Sequence, residues 1–108
     1  MGSEEFLWES QLLISMVRDL ENTQDKYGGY AYRMTIRNIL AGNADAAIAP
    51  FFKDKPYYGL YGRLSLDDVE GIMDSLVKAN MLEVIYMDNG KKLYCTHEYY
   101  VDTCRRNL

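Results

Sequence analysis

Residues 57–96 read YYGLYGRLSLDDVEGIMDSLVKANMLEVIYMDNGKKLYCT, and this stretch decides the fold. A glycine-punctuated loop leads to Ser65, a good helix N-cap, with Asp68 at the capping-box position three residues on. Leu66, Val69, Ile72, Met73, Leu76 and Val77 then repeat at the 3/4 spacing of a helix that buries one face. Two short apolar runs follow, Leu82–Met87 and Leu93–Thr96, joined across Asp88-Asn89-Gly90-Lys91. Asn-Gly suits the paired positive φ angles of a type I′ turn, so the runs are expected to form a hairpin. A helix running straight into a two-stranded ribbon, with helices upstream, is the outline of an α+β winged helix.

That turn also sets an expected register. With Asn89 and Gly90 as the loop, Tyr86 faces Leu93, Ile85 faces Tyr94 and Val84 faces Cys95. Val84, Tyr86, Leu93 and Cys95 then share the core side. Ile85, Met87 and Tyr94 lie opposite with Lys92, an apolar strip that either meets a partner or is covered by Tyr99 and Tyr100.

Upstream, Leu13, Met16, Val17 and Leu20, with Phe6 further back, give the stripe of a long opening helix over residues 4–24. Trp8 lies off that stripe and is expected to close over a neighbouring element. Gly28-Gly29 ends the helix. Tyr30-Ala31-Tyr32 suits a small strand beside the wing, and residues 35–41 a brief helix burying Ile36, Ile39 and Leu40. Residues 45–49 suit one further helical turn before Pro50. Phe51 and Phe52 are expected to pin the loop from Pro50 to Arg63 to the core. Residues 98–108 lack clear periodicity; Tyr99-Tyr100-Val101 is read as extending or covering the wing, and Arg105-Arg106 as a solvated end.

The 108 residues suit one domain with one core. Net charge is −4, against a strongly basic nucleic-acid binder, but the charge is uneven. Residues 27–64 carry Arg33, Arg37, Lys53, Lys55 and Arg63 against Asp45 and Asp54, whereas Asp67, Asp68, Glu70 and Asp74 crowd the following helix. The basic middle and Lys91-Lys92 are expected to form one positive surface. Ten tyrosines suit either a half-buried shell or a binding face.

Catalytic signals are absent. There is no phosphate-cradling loop, no nucleophile with a base at recognisable spacing, and no zinc pattern around Cys95, His97 and Cys104. No cofactor and no metal are expected. No apolar run approaches the ~20 residues of a membrane span, and no secretory h-region is visible, so the compartment is expected to be intracellular.

Laid out in order, SEEFLWESQLLISMVRDLENTQDKYG, MTIRNILAGNADAAI and YGLYGRLSLDDVEGIMDSLVKANMLEV resemble the RQC domain, the winged-helix module behind the motor of RecQ-family DNA helicases. The likeness runs from about Ser3 to Thr103. It implies a non-catalytic DNA-binding accessory domain of an ATP-dependent helicase, with a motor domain in the parent chain. It further implies binding to duplex or forked DNA, with the wing at the point of strand separation. Carried over by position, the phosphate contacts are Tyr32 and Arg33 at the short second helix, Arg63 and Ser65 before the long helix, and Lys91 and Lys92 on the wing; Arg37, four residues after Arg33 and so on the same side, is expected to join them. The turn has no aromatic at its apex, so Tyr86 and Met87 are the nearest candidates for a strand-separating wedge. A winged-helix protein-interaction module and a small transcription regulator dimerising through residues 4–24 are the competing readings. The sequence leaves oligomeric state open.

Overall fold

The computed structural model describes residues 3–27, 30–46 and 48–106. Among these, five helices and one two-stranded antiparallel sheet form a winged-helix-like α+β fold. The order is α1 (Ser3–Tyr27), α2 (Arg33–Leu40), α3 (Ala49–Phe52), α4 (Leu66–Lys78), β1 (Glu83–Tyr86), β2 (Lys92–Cys95) and α5 (His97–Arg106). Gly28 and Gly29 lie outside the described residues, as does the side chain of Phe6.

The core forms where the apolar stripes meet. Leu13, Met16, Val17 and Leu20 of α1 pack with Ile36, Ile39 and Leu40 of α2, and with Val69, Met73 and Leu76 of α4. Phe52 and Tyr57 fill the same core from the intervening loop, as the aromatic pair after Pro50 led one to expect for Phe52. The Ile48 and Ala49 N–H groups both donate to the Asp45 carbonyl, at 3.0 and 2.8 Å, closing the expected turn before Pro50, and Pro50 itself falls inside the first turn of α3. Proline is tolerated there because the first N–H groups of a helix have no intrahelical partner.

Two helix ends aim the rest of the chain. At the end of α2, Gly42 takes φ +75° and donates to the Ile39 carbonyl at 3.1 Å, while Asn43 reaches Asn38 at 2.7 Å. At the end of α4, Asn80 takes φ +61°, donates to Val77 at 3.0 Å, and Met81 reaches Leu76 at 2.9 Å. Both are Schellman closures, with asparagine standing at the left-handed position in the second. The second closure turns the chain directly into the wing. At the start of α4 the capping box is formed: Asp68 N–H donates to Ser65 Oγ at 3.0 Å and Ser65 N–H to Asp68 Oδ2 at 3.1 Å.

The wing is paired one residue away from the expected register. Glu83 faces Cys95, Val84 faces Tyr94, Ile85 faces Leu93 and Tyr86 faces Lys92. Only Gly90 of the turn has a positive φ (+83°), so Asn89 does not adopt the I′ geometry. Gly90 N–H bonds the Met87 carbonyl and Met87 N–H bonds the Lys91 carbonyl, both at 2.9 Å, closing a three-residue loop with glycine in the left-handed position. Asn89 Oδ1 accepts from Lys91 N–H at 3.0 Å, the local bond that draws it from the left-handed region.

Leu93 and Cys95 are buried and Val84 packs against the core as expected, but the slip overturns the other face assignments. Tyr86 is 70% exposed instead of being in the core, and Tyr94 is fully buried instead of solvent-facing. Ile85 and Met87 are half-buried against the core, so the expected exposed strip of Ile85, Met87 and Tyr94 does not exist. Residues 30–32 form no strand; a single bond from Tyr94 N–H to the Ala31 carbonyl, 3.1 Å, lies along β2 there.

The C-terminal stretch is a helix, contrary to its aperiodic reading. Thr96 Oγ1 accepts from Tyr99 N–H at 3.4 Å, as an N-cap does, and Glu98 occupies the first turn. The helix packs on β1, and Tyr99 donates to Gln24 Oε1 of α1 at 2.9 Å. Trp8, expected to close over a neighbouring element, is instead 57% exposed.

Candidate nucleic-acid interface

A groove of about 330 Å³ opens between the start of α2, α4 and the wing. Its lining includes Tyr32, Arg33, Glu70, Lys91, Lys92 and Tyr94. Residues nearly sixty positions apart in the chain thus meet: Tyr32 and Arg33 with Lys91 and Lys92. Helix α2 packs on α4, and the Schellman turn at Asn80 folds the wing back beside both, which is why these side chains converge.

The cations are not free charges. Arg33 Nη1 lies 3.8 Å from both Asp67 Oδ1 and Glu70 Oε1 of α4. Lys92 Nζ donates to Asp74 Oδ2 at 3.0 Å, and Asp74 Oδ1 accepts from the Tyr94 hydroxyl at 2.8 Å. The Asp74 bond holds the Lys92 ammonium charged to higher pH than an ordinary lysine. Burial, and then the same carboxylate, push the Tyr94 phenol well above the usual tyrosine range. Lys91 Nζ sits 5.3 Å from the Tyr32 ring centre, a cation–π arrangement, and Tyr32 stacks on Tyr30 at 5.8 Å.

The remaining predicted residues lie outside the groove lining. Ser65 is exposed and engaged in its capping box, next to the lining residue Leu66. Arg63 is exposed in the loop before it. Arg37 is half-buried and donates to Asn38 Oδ1 at 3.2 Å. Of the two wedge candidates, Tyr86 projects into solvent and Met87 packs inward.

Sequence reasoning missed the carboxylate side of the groove. Asp67, Asp68, Glu70 and Asp74 stand out in the sequence only as a crowd of acids on one helix, and of these Asp68 serves the cap. Asp67, Glu70 and Asp74 instead engage cations from other elements, and no local spacing signals a pair such as Asp74 and Lys92.

Elsewhere the titratable groups tie elements together. The Tyr57 hydroxyl donates to Asp19 at 2.6 Å and the Tyr61 hydroxyl to Glu9 at 3.1 Å, fastening the 57–61 loop to α1. Glu21 accepts from Thr96 N–H at 2.7 Å and Thr96 Oγ1 at 2.8 Å, joining α1 to the start of α5. Burial pushes the Cys95 thiol up to about 12, which leaves it protonated and unreactive near neutral pH. His97 lies 3.2 Å from Glu83, and no group of three potential metal ligands occurs among the described residues. Among the same residues no helix is long and apolar enough to cross a membrane.

No family profile matches the chain. It is 29% identical over 83 residues to a protein of Acanthamoeba polyphaga mimivirus named "Putative ATP-dependent RNA helicase". The match covers 77% of this chain and 14% of that protein, so the chain is similar to a small part of a much longer helicase-named relative.

Proposed function

We propose that this chain is a winged-helix accessory domain of a RecQ-type, ATP-dependent DNA helicase, holding duplex or forked DNA by its phosphates for a motor elsewhere in the parent protein. The observation that carries this reading is the meeting of Tyr32, Arg33, Lys91 and Lys92 in one groove beside the wing. The likeness to part of a helicase-named protein supports the same setting. Arg63, exposed in the loop before α4, and the N-terminus of α4 at Ser65 would add contacts, since a helix N-terminus favours anions. Contacts are to the backbone, since the carboxylates along α4 repel a duplex whose base edges that helix would otherwise read. Tyr86, exposed on β1 opposite Lys92, is the wedge this reading favours over the inward-packed Met87.

Titration of forked, blunt and single-stranded DNA, with an RNA fork of equal sequence, tests this reading. About four phosphate contacts give a log–log salt slope near −3.6, a loss of roughly two orders of magnitude in affinity between about 50 and 200 mM salt. Lys91→Glu with Arg63→Glu halves that slope. Binding that is flat with salt, or unchanged in this variant, contradicts the reading; binding to the RNA fork alone contradicts its DNA part.

A further inference from the structure

The groove brings its cations together and then occupies them. Arg33 lies between Asp67 and Glu70, and Lys92 is held by Asp74, so three carboxylates of one helix stand where phosphate oxygens would otherwise bind. The two arrangements differ in kind. Asp74 is fixed by Tyr94 as well as by Lys92 and serves to seat the wing. Asp67 makes no such second bond: its side chain is 95% exposed and its distance to Arg33 is 3.8 Å, long for an ion pair. Glu70, 3.8 Å from the same guanidinium, lines the groove itself. Arg33 is therefore loosely held and can be taken over by a phosphate. A duplex running along α4 would bring its phosphates against both carboxylates, whereas a fork presented to the wing tip meets Lys91 first.

Resting on the nucleic-acid reading above, we propose that Asp67 and Glu70 are specificity-determining residues. By standing in for phosphate at Arg33, they weaken the hold on continuous duplex relative to a junction presented at the wing. The predicted site residues supply attraction; these two supply the discrimination between DNA forms. Such discrimination often comes from a repulsive element placed against the wrong partner.

The test compares Asp67→Asn/Glu70→Gln with Asp54→Asn/Asp102→Asn, which changes net charge by the same amount at exposed positions away from the groove lining. Asp68 is left intact, so the cap of α4 remains. Anisotropy titrations at about 0.1 M salt use a fork and a dumbbell duplex without free ends. Affinity of the groove variant for the dumbbell is expected to rise about three- to tenfold above that of the charge-matched control, and for the fork by less than half as much. Equal gains in the two variants, or parallel gains for fork and dumbbell, overturn the proposal while leaving wing binding intact. If the natural protein binds the fork and the groove variant changes nothing, only this proposal falls. If neither protein binds any DNA, it falls together with the function it rests on.

Discussion

Replacing Asp74 with alanine removes a carboxylate of α4 that accepts from both Lys92 and Tyr94 of the wing. Two losses follow, and their sizes differ. The ion pair with Lys92 is partly exposed, at 27% and 37% for the two side chains, so water and salt screen it and its loss costs about 0.5 kcal/mol. The Tyr94 hydroxyl belongs to a residue with no exposed surface and would lose its carboxylate acceptor, costing about 1–2 kcal/mol. The sum is about 2 kcal/mol, which lowers the melting temperature of a domain this size by roughly 8–16 °C. Urea unfolding of Asp74→Ala, Tyr94→Phe and the double variant separates the two losses. In the Asp74→Ala background the hydroxyl is a burden, so Tyr94→Phe is expected to cost nothing or to restore stability there. A coupling energy of about 1–2 kcal/mol follows. An Asp74→Ala variant within about 0.5 kcal/mol of the natural protein, or Tyr94→Phe costing the same in both backgrounds, refutes the reasoning.

The Glu21–Thr96 tie has a pH signature. Burial, its largest influence, raises the Glu21 carboxyl above the usual 4.5, against the opposing pull of the two Thr96 bonds. The folded state then holds this proton more tightly than the unfolded chain. Glu21 therefore favours folding below the unfolded pKa, and that contribution is lost as pH rises through the folded one. Glu21→Gln is expected to flatten the urea-midpoint profile just above pH 4.5, and an unchanged profile contradicts this. Gly90→Ala meets no neighbour but keeps a φ of +83°, so chemical denaturation should register a loss of about 1 kcal/mol, against almost none for Gly62→Ala. Gly42→Ala adds a Cβ 3.4 Å from the Gly59 Cα on top of a φ of +75° and should cost more than Gly90→Ala in the same assay. Ser65→Ala removes the α4 capping box at an exposed helix end, and about 1 kcal/mol of stability is expected to go with it.

Much of this fold was legible because its signals are local. The α4 cap, the helical stripes of α1, α2 and α4, and the presence of a hairpin at Asn89-Gly90 all rest on residues within a turn or two of each other. The hairpin register was not, because Asn-Gly serves two loop lengths. The choice fell to the Asn89–Lys91 bond and to burial of Tyr94 under the Asp74 carboxylate, a contact made across the fold. Helix α5 escaped notice for a related reason: few of its side chains are apolar, and it is anchored by Thr96 to Glu21 and Tyr99 to Gln24 in place of an apolar stripe. The groove was half visible. Its cations were named from the resemblance, yet their partners Asp67, Glu70 and Asp74 come from another element and carry no sequence spacing that announces them. The tyrosines divide along the same line: Tyr57, Tyr61, Tyr94 and Tyr99 are fastened shell residues, while Tyr30 and Tyr86 remain open to a partner.

Amide chemical-shift mapping of the isotopically labelled protein with a DNA fork tests the central claim most directly. Shifts are expected to concentrate at Tyr32, Arg33, Arg63, Ser65, Tyr86, Lys91 and Lys92 and to fade as salt rises. Shifts confined to the exposed Leu7–Trp8 end of α1, or none at low salt, would contradict it.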